Sequence, residues 1–257
     1  MNILCIGDVV GSAGCDMLAR KLPVLKRLYA ADAVIVNGEN SADGNGISST
    51  SAQSIFDAGA DVITTGNHAL RQNSAWHMFE DNGRVLRPAN LTDAAPGSGY
   101  CIVDFGHTKM AVINILGTAF MEPLACPFAT ADRLIGQAEA DGAKIIMIDF
   151  HAEATAEKKA LAFYLAGRAS AVFGTHTHVQ TADAQVLAGG TGFITDLGMT
   201  GPFVSVLGVK PELAIRKMKD KIPVRFANAD GECVLEGCFF TVGRDGKCTD
   251  AQAVRVF

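Results

Sequence analysis

Seven nitrogen or oxygen donors stand just past short apolar runs: Asp8, Glu39, Asn40, Asn67, His151, His176 and His178. Asp8 closes Ile6-Gly7-Asp8, and Glu39 and Asn40 close Asn37-Gly38-Glu39-Asn40. Asn67 lies in Gly66-Asn67-His68, His151 follows Lys144–Phe150, and His176 and His178 end Gly174-Thr175-His176-Thr177-His178. Imidazoles, carboxylates and amide oxygens without a thiolate favour Fe, Mn or Zn over Ca or Mg. Seven donors exceed what a single catalytic zinc-type centre takes, and they suit two ions sharing a bridging carboxylate. Two carboxylates against two divalent ions leave the site positive, so its natural ligand is an anion such as a phosphate ester. A pair of ions about 3.5–4 Å apart lowers the pKa of a bridging water and holds phosphoryl oxygens for in-line attack. His68, beside Asn67, is placed to protonate the leaving alkoxide or to hydrogen-bond the developing charge.

Each residue also has a plain reading when taken alone. Asp8 could cap a helix, Glu39-Asn40 could be a turn, and His151 could be a structural histidine. The 175–178 run is stronger, because alternate strand residues project to one side and would bring two imidazoles to one centre. It is the conjunction of five strand ends that points to a metal site. In open α/β sheets, ligands gather outside the carboxyl ends of the strands.

The elements that must position these residues follow a β-then-α rhythm. Strands are expected at Ile3–Ile6, Ala33–Val36, Asp61–Thr64, Met110–Ile115, Lys144–Phe150 and Ala171–Phe173. Helical spacing marks 16–28, 51–58, 69–81, 129–140 and 154–165. This predicts an α/β fold with helices covering a sheet. Beyond residue 186 the pattern turns to strands at 192–195, 224–227, 233–242 and 253–257, with one helix at 211–219. These suggest a second, more antiparallel sheet, within a single domain spanning 1–257.

Composition narrows the function classes. A net charge of -5 with no basic run argues against stable binding to a nucleic-acid duplex. Mean hydropathy is +0.21, yet no segment reaches the ~18 apolar residues of a membrane helix. The first residues run straight into a strand and carry no signal-peptide pattern. Seven scattered cysteines without a CxxC pair read as small hydrophobes in a reducing, cytoplasmic setting.

With those motifs placed, the chain resembles the calcineurin-like metallophosphoesterase superfamily, and more closely its bacterial YmdB-like branch of 2′,3′-cyclic-nucleotide 2′-phosphodiesterases. The stretches that carry the resemblance are I-G-D-V-V-G-S at 6–12, N-G-E-N at 37–40, G-N-H at 66–68 and R-P-A-N at 87–90. D-F-H-A-E-A-T at 149–155, G-R-A-S-A-V-F-G-T-H-T-H-V-Q-T-A-D at 167–183 and T-D-L-G-M-T-G-P at 195–202 complete it. The resemblance implies a four-layer αββα sandwich, two metal ions (iron first, manganese or zinc as alternatives) and a small phosphoester substrate such as 2′,3′-cyclic AMP. It implies one ion held by Asp8, Glu39, Asn40 and His178, and a second by Glu39, Asn67, His151 and His176, with His68 as proton donor. Two departures from the superfamily stand out: Val9-Val10 replaces the usual histidine after the first aspartate, and Ala69 follows Asn67-His68 where an acid is common.

Other residues are left open. Arg168 is either a substrate-phosphate contact or a structural ion pair. Glu153, Glu157 and Lys158 read as a solvated helix start, Trp76 and Phe79 as core or interface, and Thr200-Gly201-Pro202 as a loop near the site. A phosphomonoesterase on the same centre and a regulatory metalloprotein with weak hydrolysis are the competing functions. A homo-oligomer is also consistent with the apolar helices.

Overall fold

A computed structural model describes residues 1–43 and 45–257. Its strands are β1 (Asn2–Ile6), β2 (Asp8–Val9), β3 (Ala33–Asn37), β4 (Val62–Thr64), β5 (Tyr100–Asp104), β6 (Lys109–Leu116) and β7 (Ile145–His151). The remainder are β8 (Ala171–Thr175), β9 (Gln185–Leu187), β10 (Thr191–Ile194), β11 (Met199–Pro202), β12 (Cys233–Val242) and β13 (Cys248–Val256). The helices are α1 (Gly11–Leu28), α2 (Ser49–Asp57), α3 (Trp76–Asp81), α4 (Pro127–Ala140), α5 (Thr155–Tyr164) and α6 (Pro211–Asp220).

Two sheets form. The first has the order β2-β11-β12-β1-β3-β4, with β13 beside β12; the second has the order β5-β6-β7-β8-β10-β9. Alternation along the strands divides the side chains into three cores. Leu4 and Ile6 of β1 meet Leu18 and Leu22 of α1 on the outer face of the first sheet. Ile3 and Cys5 face the other way, onto Met147 of β7 and Phe173 of β8. Ile146, Ile148 and Phe150 of β7 pack under Leu134 of α4 and Leu161 of α5. Three cores between four layers make the αββα sandwich.

The late strands do not make a sheet of their own. β12 pairs antiparallel with β1 and β11 runs parallel to β2, so both ends of the chain build the first sheet. Residues 224–227 form no strand: the segment is largely exposed, and Pro223 just before it has no N–H to donate to a ladder. Helix over 69–81 is confined to a 3-10 turn at Asn73–Ala75 and to α3, because turns with Ala69 N–H donating to Gly66 O and Arg71 N–H to His68 O occupy its start. Phe79 is buried in the core, whereas Trp76 is largely exposed and donates its indole N–H to Leu70 O. Thr200-Gly201-Pro202 is strand rather than loop: β11 lies alongside Asp8 and Val9. No helix among the described residues is long and apolar enough to cross a membrane.

Candidate metal centre

The seven predicted donors and His68 converge at the seam between the two sheets. Asp8 lies on β2, Glu39 and Asn40 follow β3, and Asn67 and His68 follow β4, all from the first sheet. His151 ends β7, and His176 and His178 follow β8, from the second. Asp8, Glu39 and His151 are fully buried, while the others line the more open mouth.

Glu39 is the hub. Its Oε1 lies 3.2 Å from His151 Nε2 and 3.3 Å from His68 Nδ1, and it accepts from Asn40 Nδ2 at 3.1 Å. Its Oε2 accepts the backbone N–H of His68 at 3.1 Å. Donor atoms of Glu39, His151 and His176 all fall within 4.8 Å of one another. Asn67 Oδ1 is 3.1 Å from His151 Nε2, and His176 Nδ1 is 3.0 Å from the same nitrogen. Asp8 accepts the His176 backbone N–H at Oδ2, 3.1 Å away, and its Oδ1 faces His178 Nε2 at 3.6 Å.

The two imidazoles of 176 and 178 do not share a centre as alternate strand residues. β8 ends at Thr175, and both histidines have left-handed backbone, φ 98° and 61°. The turn splits them: His176 goes to His151, while His178 goes to Asp8 and to Asn40 Nδ2, 3.2 Å away. Left-handed non-glycine residues persist only where surroundings over-determine them. Here Thr177 is pinned through its N–H (3.1 Å) and hydroxyl (2.8 Å) to Asp196 Oδ2, which also takes Lys158 Nζ at 2.7 Å. Lys158 is therefore not part of a solvated helix start. It is buried, because α5 turns it inward with Leu161 and Ala162. Glu157 accepts from the Thr118 N–H and hydroxyl, and only Glu153, half exposed, reaches the centre, at 3.1 Å from His176 Nε2.

A buried network orients His151. Period two along β3, β7 and β8 puts Asn37, Asp149, His151 and Thr175 on the inter-sheet face. Asp149 Oδ1 accepts the Thr175 hydroxyl proton at 2.7 Å, and its Oδ2 accepts from Asn37 Nδ2 at 3.0 Å and from the Thr64 hydroxyl. Thr175 has then spent its only proton and accepts from His151 Nδ1–H at 2.8 Å. The lone pair of His151 belongs to Nε2, which points into the cluster, as a metal ligand requires. Asn37, Asp149, Thr175 and Asp196 went unassigned in the sequence; alternation along the strands was the available signal for the first three.

Gly66 makes room for this geometry. A Cβ there would lie 2.2 Å from His151 Nε2 and 2.3 Å from Glu39 Oε2.

The electrostatics suit a site for cations. Burial would raise the Glu39 carboxyl, but His151 and His68 outweigh it and hold it well below its ordinary value. Burial would lower His151, yet Glu39, Asp8 and Asp149 raise it to about 9. Burial and the charge of His151 push His176 down to about 4. Burial would lower His178 too, but Asp8 raises it, so protons on His151 and His178 balance the two buried carboxylates. Asp8 Oδ1 is buried without a hydrogen-bond partner, an expensive position for a carboxylate oxygen unless a cation meets it. Donor chemistry, clustering and this orphaned oxygen all fit metal binding.

Arg168 does not join the cluster. It precedes β8, at the end opposite the histidines, pairs with Asp132 at 2.7 Å and lies over the Tyr164 ring. The ion pair is the reading its position supports.

The YmdB-like protein family matches residues 4–254, nearly the whole chain. This chain belongs to that family. A relative from Bacillus subtilis (strain 168), a 2′,3′-cyclic-nucleotide 2′-phosphodiesterase, is 48% identical over 237 residues, covering 92% of this chain and 89% of the relative. A solved structure described as a novel phosphatase from Mycoplasma pneumoniae is 34% identical, with a TM-score of 0.94 over 100% of this chain and 93% of that one. A 5′-nucleotidase precursor from Thermus thermophilus shares the fold at 12% identity, with a TM-score of 0.61 over 100% of this chain and 54% of that one. The YmdB-like chain thus carries the metallophosphoesterase fold.

Proposed function

We propose that this protein is a metal-dependent phosphodiesterase that opens 2′,3′-cyclic nucleotides at the 2′ oxygen. The observation that carries the reading is the buried Asp8–Glu39–His151 floor with its unpartnered Asp8 oxygen, on a chain 48% identical to a phosphodiesterase of that specificity. Asp8, Glu39, Asn40 and His178 would hold one ion; Glu39, Asn67, His151 and His176 would hold the other, with Glu39 shared. Bound ions would supply positive charge to the phosphoryl oxygens and a water of lowered pKa. Iron is the first candidate, manganese or zinc the alternatives.

The residues divide the remaining work. His68 Nδ1 is held by Asn40 Oδ1 at 3.0 Å, and Nε2, 3.5 Å from Asn45 Nδ2, is the nitrogen that would meet the substrate. As the water oxygen bonds to phosphorus and the P–O2′ bond breaks, His68 gives a proton to O2′, and the product is a 3′-phosphate. Asp149 and Thr175 keep His151 in the ligand tautomer. Both ends of the chain build the first sheet, which supports reading 1–257 as one domain. All seven cysteines are free thiols, which suits a cytoplasmic location.

The test is hydrolysis of 2′,3′-cyclic AMP by metal-loaded, anaerobically purified protein, with metal content measured on the same sample. The expected product is 3′-AMP, with metal required. Intact cyclic AMP beside rapid cleavage of phosphomonoesters would overturn the reading in favour of a monoesterase.

A further inference from the structure

The segment 203–228 leaves the body of the protein at the rim of the candidate metal centre and carries a basic and apolar surface. Both of its ends are fixed beside Asp8. His178 Nδ1 lies 3.1 Å from Leu207 O, Gly208 packs so closely on Val10 that a Cβ would meet it at 2.6 Å, and Asn228 sits against Gly11. Between these anchors only Ala214 of α6 is buried.

What α6 and the following residues expose is basic and apolar. Arg216, Lys217, Lys219, Lys221 and Arg225 form no ion pair among the described residues, while Lys210 is taken by Asp230 at 2.9 Å. Only Glu212 and Asp220 oppose them within 210–225. Residues 210–225 thus carry six Lys or Arg against two carboxylates in a chain whose net charge is -5. Among these cations stand exposed Ile215, Met218, Ile222 and Phe226, with Phe203 at the arm's start. Lys217 lies 4.6 Å from the centre of the Phe226 ring. Cations interleaved with apolar and aromatic faces match a single nucleic-acid strand, whose phosphates seek the charges and whose bases seek the flat apolar surface.

The chemistry of the adjoining site selects the strand. A 2′,3′-cyclic phosphate is the end left on RNA when a 2′-hydroxyl attacks its own 3′-phosphodiester. A free cyclic nucleotide has no neighbouring phosphates and gains nothing from the arm. We propose that the 203–228 arm binds the RNA preceding a terminal 2′,3′-cyclic phosphate, so that the preferred substrates are RNA 3′ ends and the supplying reaction is RNA cleavage by 2′-hydroxyl attack. The proposal rests on the phosphodiesterase reading above. The bond changes are the same: water oxygen to phosphorus, P–O2′ broken, a proton to O2′.

The experiment compares 2′,3′-cyclic AMP with a pentanucleotide ending in a 2′,3′-cyclic phosphate, in wild type and in Arg216→Glu/Lys219→Glu/Lys221→Glu. Lys217 is kept because it stacks on Phe226. Wild type should show kcat/KM at least tenfold higher on the pentanucleotide, through KM, with the advantage shrinking as salt rises. The triple variant should lose that advantage and keep its rate on cyclic AMP. Fluorescence anisotropy with a labelled pentanucleotide 3′-phosphate reads binding without turnover and should weaken at least tenfold in the variant. Equal kcat/KM for the two substrates, or an advantage that survives the triple variant, overturns the proposal. So does an arm that binds anionic vesicles, or buries itself in a dimer, without any effect of RNA length. Failure on cyclic AMP as well would instead strike the phosphodiesterase reading.

Discussion

The two sheets contribute unlike halves to the candidate metal centre, and each half is held in its own way. The first sheet brings the two carboxylates, the two asparagines and His68, and fixes them by close backbone approach: Gly66 lies where any Cβ would strike Glu39 Oε2. The second sheet brings His151, His176 and His178, and fixes them through buried partners. Thr175 and Asp149 stand behind His151, while Asp196 and Lys158 stand behind the 176–178 turn. The difference teaches that a carboxylate can be placed by close packing and whichever N–H groups meet its oxygens. An imidazole must also be told which nitrogen to present, and that takes a hydrogen-bond partner.

Breaking the second half at its base has the largest expected effect. Lys158→Met leaves Asp196 as a buried carboxylate without its cation, a loss of about 3–5 kcal/mol. Urea unfolding measures it, and an unchanged midpoint would show that the pair does not brace the turn. Gly66→Ala strikes both halves at once. We expect at least a ~100-fold loss of activity on bis-p-nitrophenyl phosphate, with a loss of stability of about 1–3 kcal/mol from the overpacked methyl. Near-normal turnover would mean that the halves tolerate displacement, and the comparison fails.

Two milder tests sharpen the contrast. Asp149→Asn offers Thr175 a donor, frees the Thr175 proton for His151 Nδ1 and moves the imidazole proton to Nε2. Metal affinity, read by competition with a chelator, should fall about tenfold while the asparagine still fills the space. The pH dependence should be the gentlest signal. In the metal-free protein His151 is raised from 6.5 to about 9, so its contribution to stability is full below 6.5 and is lost as pH rises through 9. The same proton competes with metal, so affinity should climb with pH through that window and level off above about 9. Affinity that is flat from pH 6.5 to 9 would remove His151 from the ligand set.

The sequence exposed the candidate ligands better than their supports. Asp8, Glu39, Asn67 and His151 stand where apolar runs stop, and a polar residue at the end of a buried strand is visible in one dimension. Lys158 was misread because its partner Asp196 lies 38 residues away and nothing local marks a buried lysine. The sheet assignment of 233–242 was hidden for a similar reason. Its alternation announces a strand, but only the tertiary fold decides that β1 is its neighbour. The turn at 176–178 also escaped, since strand periodicity cannot foresee two left-handed histidines.

The crossing of β12 between β1 and β11 has a consequence for how the protein comes into being. Every candidate ligand has been synthesised by residue 178, yet β1 gains its second neighbour only when residues 233–242 emerge. Until then a ribosome-bound chain would hold all the right side chains on a half-built sheet with one edge bare. Maturation of the centre is thereby timed by the tail of the protein rather than by its ligands.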